Sequence, residues 1–176
     1  MKLIVISNPT PLGNEQEIVC SLFEAGLKCF HVYKPLFSKE EIQNYIQEIP
    51  SMYHNKILLH SEYLKFHSLK EVEDCKEKYD YAFLSPIFDS ISKAGYKSKF
   101  DLQELKNYLL LQRKKRGKVI ALGGIDEHTI TETFDLGFDG VAVLGAIWMS
   151  VDPVKKFNSL QNSLRAINKI KKEQHV

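Results

Sequence analysis

The chain has 176 residues, 44% of them hydrophobic and 26% charged, which excludes disorder, collagen and a disulfide scaffold and sets the expectation of one domain over residues 1–176. Lys plus Arg number 24 against 22 Asp plus Glu, so the net charge of +2 supplies no field that would favour a nucleic acid or an acidic membrane as partner. Cys20, Cys29 and Cys75 are odd in number and lack CxxC spacing, which argues against disulfides and structural zinc and for a reducing cytoplasm.

The chain opens on a short β-branched run at 3–7. This run lacks the apolar length of a signal peptide, and no stretch approaches the roughly 18 residues of a membrane span, so neither export nor membrane insertion is expected. Similar, nearly continuous apolar runs at 29–34, 56–60, 81–85, 119–123 and 140–144 read as strands of a parallel sheet buried on both faces. Residues 15–25 place Ile18, Leu22 and Ala25 on one helical stripe that stops at Gly26. Ser38 with Glu41, and Ser68 with Glu71, have the spacing of capping boxes. Asp101 with Glu104 opens a further helix closed by Gly117, Asp126 and Gly137 bracket another, and Asp152-Pro153 starts the last. The basic run 113–116 reads as a solvated helix C-terminus that complements the macrodipole.

Six βα units in this length allow about 29 residues each, close to the roughly 30 of a βαβ unit, whereas eight units would have only about 22. Spacing alone therefore disfavours a complete eightfold barrel. The irregularity is local: six residues separate His60 from His67, and Ser68 then opens a helix.

Ala121-Leu122-Gly123-Gly124-Ile125 ends a strand on two glycines, and Val143-Leu144-Gly145-Ala146-Ile147 repeats the arrangement one strand later. Glycine lets backbone approach an anion closely, and the loops after the last two strands of a βα barrel recurrently hold phosphate. Ser90, Ser92 and Lys93 offer two hydroxyls and an ammonium on another loop, a set suited to phosphate or diphosphate. His31, His60 and His67 stand where strands end or helices begin and can exchange protons near neutral pH. Cys29 lies near His31, but no spacing motif supports a metal there.

The order of these segments resembles the thiamine phosphate synthase and TenI family across nearly the whole chain. The resemblance rests on Phe30-His31-Val32-Tyr33-Lys34, on His67-Ser68 with Glu71, on the stretch from Asp80 to Phe88, and on Ser90-Ile91-Ser92-Lys93 in place of the family's Thr-x-Thr-Lys. Ala121 to Ile125 and Gly137 to Val143 complete it. It implies a TIM-type (β/α) barrel, α/β in class, with part of the middle, about strands four and five, missing. It also implies a thiazole phosphate held by Gly123, Gly124, Leu144 and Gly145.

Between His60 and His67 the family has on the order of 30 more residues, a βαβ unit's worth. Either the barrel has lost part of its wall, or a segment of the protein lies outside this sequence. The open sheet edges that the first would create favour the second.

The family's synthase branch joins a pyrimidine diphosphate to the thiazole phosphate with Mg²⁺. It needs a strand-two arginine, where this chain has Tyr33 followed by Lys34, and carboxylates after strand three, where it has His60-Ser61-Glu62. Lys93 is retained, Lys34 is a partial substitute for the arginine, and Glu62 is the candidate Mg²⁺ ligand. The tautomerase branch shifts a proton on a carboxylated thiazole and needs no cofactor. Its general acid/base falls on His67, with His31 or His60 to orient the substrate or relay the proton. On these residues the tautomerase is expected ahead of the synthase. A noncatalytic or regulatory phosphate-ligand barrel and an unrelated sugar-phosphate isomerase are the alternatives. Tyr53, His54 and the apolar run 108–111 are candidates for a homo-oligomer contact, with helix face and core as the competing use.

Overall fold

The computed structural model describes residues 1–91, 95, 97–112 and 116–173, with side chains as far as residue 169. Seven strands form one parallel sheet: β1 (Lys2–Ile6), β2 (Phe30–Val32), β3 (Ile57–Leu59), β4 (Lys65–Phe66), β5 (Tyr81–Leu84), β6 (Lys118–Leu122) and β7 (Gly140–Val143). Their order is β3-β2-β1-β7-β6-β5-β4, so the first and last strands lie side by side at the centre. This is the winding of a βα barrel. Among the described residues no ladder joins β3 to β4, and the wall stays open along that flank.

The period of two along each strand divides the apolar residues between two cores. Ile4, Ile6, Tyr81, Phe83, Ile120 and Ala142 point inward with Cys29 and form the core enclosed by the sheet. Val5, Ala82, Leu84, Val119, Ala121, Val141 and Val143 alternate with them and face the helices. Those helices are α1 (Glu15–Glu24), α2 (Lys39–Gln47), α3 (Leu69–Asp74), α4 (Leu102–Gln112), α5 (Ile130–Asp135), α6 (Gly145–Trp148) and α7 (Pro153–Glu173). Val19, Leu22 and Phe23 of α1, Leu105 and Leu109 of α4, and Phe157, Leu160 and Leu164 of α7 carry the buried stripes, at the spacing of three and four that a helix requires.

Several local expectations are met. Ser38 and Glu41 form the reciprocal capping box of α2. Asp101 accepts from the N–H groups of Gln103 and Glu104 at 2.9 Å each, at the start of α4. At α3 the arrangement is shifted by one residue: Ser68 Oγ accepts from Glu71 N–H, while the Glu71 carboxylate accepts from the N–H of His67.

Others are corrected. The strand-five counterpart is present as the two-residue β4, so one strand of an eightfold barrel, the fourth, has no counterpart here. The link from β3 to β4 is a single 3-10 turn (His60–Glu62), in which the Tyr63 N–H donates to the His60 carbonyl at 3.3 Å. No additional segment is needed to fold the sequence in hand. The inner side of the flank is covered by Tyr63, whose ring stacks on Tyr81 at 4.6 Å and lies 4.7 Å from His31. The helix expected from Asp126 begins only at Ile130, because the Asp126 carboxylate closes a turn on the N–H groups of His128 and Thr129. Residues 113–115 of the basic run lie outside the described residues. Arg116 is no solvated helix end: its guanidinium donates to Asp139 Oδ2 at 2.7 Å, and the same oxygen accepts from Val119 N–H.

Candidate active site

The strands end around a cavity of about 300 Å³. Ile6 from β1, Leu122 from β6 and Ala142 and Val143 from β7 give it apolar walls, and Tyr33, His60, Lys65, His67, Ser85 and Ser90 give it polar ones. This is the carboxyl face of the parallel sheet, where α/β barrels gather reactive groups.

Gly123, Gly124, Leu144 and Gly145 all line this one cavity, so the two glycine-bearing strand ends converge as the sequence suggested. Gly123 and Gly124 have φ of 94° and 65°, a region that disfavours any residue with a Cβ. Space enforces the same choice: a Cβ at Gly124 would lie 2.4 Å from the Asp89 carbonyl oxygen, and one at Gly123 would lie 2.8 Å from Pro86. The loop after β5 is fastened onto these glycines by hydrogen bonds from Ile87 N–H to Leu122 O and from Phe88 N–H to Gly123 O. Bare backbone is thereby presented to the cavity. Gly145 opens α6, and the first N–H groups of a helix have no partner within it.

His67 is exposed at the cavity, and its Nδ1 lies 2.9 Å from the Ser85 carbonyl oxygen. A carbonyl only accepts, so Nδ1 carries the hydrogen and Nε2 of the neutral ring holds the lone pair. His60 is buried at the cavity wall against Phe83 and Tyr33. Burial, with the charge of Lys65 second, pushes its pKa down to about 4. It is a neutral polar group at pH 7. Tyr33 is held in place through Ser7, whose hydroxyl accepts from Tyr33 N–H at 2.7 Å and donates to Tyr33 O.

Three expectations do not fit this geometry. His31 does not line the cavity. It lies in the inner core, two residues before Tyr33, with Nε2 2.5 Å from the Tyr81 hydroxyl and rings of His60, Tyr63 and Phe83 around it. Burial first, then the charges of His60, Lys2 and Lys65, lowers its pKa to about 3. Lys34 does not reach the cavity either. Its ammonium is buried in an ion pair with Glu15 and donates to the Asn8 carbonyl at 2.7 Å. Glu62 is exposed on the turn after β3 and is not among the lining residues.

Magnesium, expected for the synthase branch, requires carboxylate oxygens. None lines the cavity among the described residues, and none of the described residues forms a group of three or more His, Cys, Asp or Glu able to hold a metal ion. The residues described do not fit the ion. Ser92 and Lys93 lie outside the described residues.

Sequence reasoning missed Lys65 and Ser85. The signal was the alternation Lys65-Phe66-His67, in which Phe66 turns to the outer core while its two neighbours line the cavity. A strand of two residues leaves too short a pattern to register as one.

Fold and site together define a parallel βα barrel, open on one flank, whose carboxyl face is built to take a small phosphorylated ligand. The comparisons agree and are more specific. Residues 64–147 match the family model described as thiamine monophosphate synthase. The thiamine phosphate pyrophosphorylase of Bacteroides thetaiotaomicron superposes with a TM-score of 0.78 at 30% identity, over 94% of this chain and 98% of that one. The thiamine phosphate pyrophosphorylase of Pyrococcus furiosus gives 0.74 at 18% identity, over 94% and 96%, which speaks for the fold alone. The chain belongs to the thiamine phosphate synthase/TenI family. Among curated relatives, the thiamine-phosphate synthase of Listeria monocytogenes serotype 4b (strain F2365) is 31% identical over 105 residues, 56% of this chain and 46% of that protein. That of Anoxybacillus flavithermus is 35% identical over 82 residues, 46% of this chain and 37% of that protein. The matches therefore span less than half the length of these relatives. No helix among the described residues is long and apolar enough to cross a membrane.

Proposed function

We propose that the cavity binds a thiazole phosphate, with the phosphate on the backbone of Gly123, Gly124, Leu144 and Gly145. We infer that the chain acts in thiamine biosynthesis as a thiamine-phosphate synthase, joining hydroxymethylpyrimidine diphosphate to thiazole phosphate and releasing diphosphate. The observation that carries the first part is the convergence of two glycine-bearing strand ends on one cavity. The reaction is supported by the relatives, which are named for it. In this reading the glycine cradle holds the phosphate, and Ile6, Leu122 and Ala142 keep water from the ring. Tyr33 takes the place of the arginine that the family resemblance implies.

The tautomerase, favoured on sequence alone, becomes the second reading. One specific observation supports it: His67 is fixed through Nδ1 with Nε2 as its basic atom, at the edge of the same cavity. That group can take a proton from one ring carbon and return it to another.

The deciding assay supplies the purified protein with each substrate in turn and separates the products by chromatography. Thiamine phosphate formation is expected. Aromatisation of the carboxylated thiazole without thiamine phosphate would move the assignment to the second reading, and binding without either product would reduce the protein to a phosphate-ligand binder.

A further inference from the structure

Among the described residues that line the cavity, Lys65 is the only lysine or arginine. It stands two residues before His67 on the inward side of β4, the edge strand of the open flank. Its ammonium donates to the Tyr63 carbonyl at 2.8 Å, which occupies one of its three N–H groups. Lys34, the other cation near the end of β2, is committed to Glu15 and the Asn8 carbonyl.

The opposite part of the lining is the bare backbone of Gly123, Gly124 and Gly145, and the walls between are apolar. The cavity thus carries two features suited to anions, a glycine cradle and a lysine, separated by a surface suited to a ring. We propose that Lys65 forms a second anion subsite of the cavity. It would take a compact oxyanion, either a carboxylate on the bound heterocycle or the diphosphate of a second substrate, while the glycine cradle holds the first phosphate.

The proposal rests on the reading of the cavity as a thiazole phosphate site. Two features around Lys65 agree with it. Burial already lowers the pKa of its ammonium, so an anion partner would relieve a cost present in the free protein. Its charge also helps hold His60 neutral, which leaves no second cation to compete for the anion. A lysine on an edge strand has another known use, as a guard against strand addition. That use predicts no contact with ligand.

The test is calorimetry on the whole chain as wild type, Lys65→Met and Lys65→Arg, with thermal unfolding to verify folding. Lys65 is exposed, and its replacement is expected to leave the fold intact. The probes are thiazole phosphate, carboxylated thiazole phosphate, and inorganic diphosphate added to the free and to the thiazole phosphate-loaded protein.

A hydrogen-bonded charge pair supports an effect of about tenfold or more. Lys65→Met should therefore weaken either the carboxylated ligand or diphosphate by that factor, leave plain thiazole phosphate unchanged, and be rescued by Lys65→Arg. The probe that loses affinity identifies the source of the anion. Equal weakening of all three, or of none, would overturn the subsite and leave Lys65 as an edge guard. If wild type fails to bind thiazole phosphate, the functional reading falls, and diphosphate binding by the free protein still decides the role of Lys65.

Discussion

His67 and Ser85 are joined by a hydrogen bond of 2.9 Å between the imidazole Nδ1 and a main-chain carbonyl, which ties the end of β4 to the end of β5. Because the acceptor is backbone, the tautomer of His67 is set by the fold and survives any side-chain change at position 85. Replacing His67 with Asn removes the basic Nε2. Any tautomerase activity should then fall by about 10²–10⁴-fold, the usual contribution of a general base, with thiazole phosphate binding retained. Undiminished aromatisation of the carboxylated substrate would take His67 out of the chemistry.

Gly124 should be intolerant of even one methyl group. Its φ of 65° costs a residue with a Cβ about 1–3 kcal/mol, and the Asp89 carbonyl at 2.4 Å from that Cβ adds to the strain. Gly124→Ala is expected to lower the melting temperature and to abolish calorimetric binding of thiazole phosphate, because the loop fastened to Gly123 must move. Retained binding at wild-type strength would separate these glycines from the phosphate site.

The Lys34–Glu15 pair is fully buried, and Glu15 also accepts from the Tyr45 hydroxyl and the Asn8 N–H. Removing one partner leaves an uncompensated charge, so Lys34→Met should cost about 3–5 kcal/mol in urea unfolding. Glu15→Gln in the same chain keeps an acceptor for Tyr45 and should recover part of that loss. Strict additivity of the two changes would show that the pair is not coupled.

His31 and His60 make stability depend on pH. Their folded values, about 3 and about 4, lie below the ordinary value of 6.5. On acidification the unfolded chain therefore binds protons first, and stability is lost as pH falls from 6.5 towards 4 and 3. Each pKa unit corresponds to about 1.4 kcal/mol, so the urea midpoint should drop clearly between pH 7 and pH 5. In His31→Phe the slope of that decline should be shallower, whatever the absolute stability. An unchanged slope would mean that His31 titrates normally.

Much of this architecture was legible because it rests on short-range patterns. The apolar runs located six strands, and Ser38 with Glu41 located the start of α2, since capping chemistry is local in sequence. The cradle was legible for the same reason, as glycines after a strand announce backbone that must stay bare. What escaped depends on distance. His31 and His67 look alike in a sequence, but the first is sealed beneath Tyr33 by Tyr63, Tyr81 and Phe83, contacts that exist only once the sheet curls. Lys34 appeared free to meet an anion because Glu15, nineteen residues earlier, gives no sign of turning inward. Lys65 escaped because β4 is too short to show a period.

The position of the open flank bears on how the chain is made. Strands β1 to β3 form one arc and β4 to β7 another, and the two are joined through the ladder from Lys2–Ile6 to Gly140–Val143. The central pairing of the sheet is therefore also the one with the greatest sequence separation, and its loop-closure entropy is met late. On a ribosome, the first arc waits with the edge of β1 unpaired until the seventh strand has emerged. A complete barrel can meet itself along two seams, whereas this one has a single seam, and the last strand synthesised closes it.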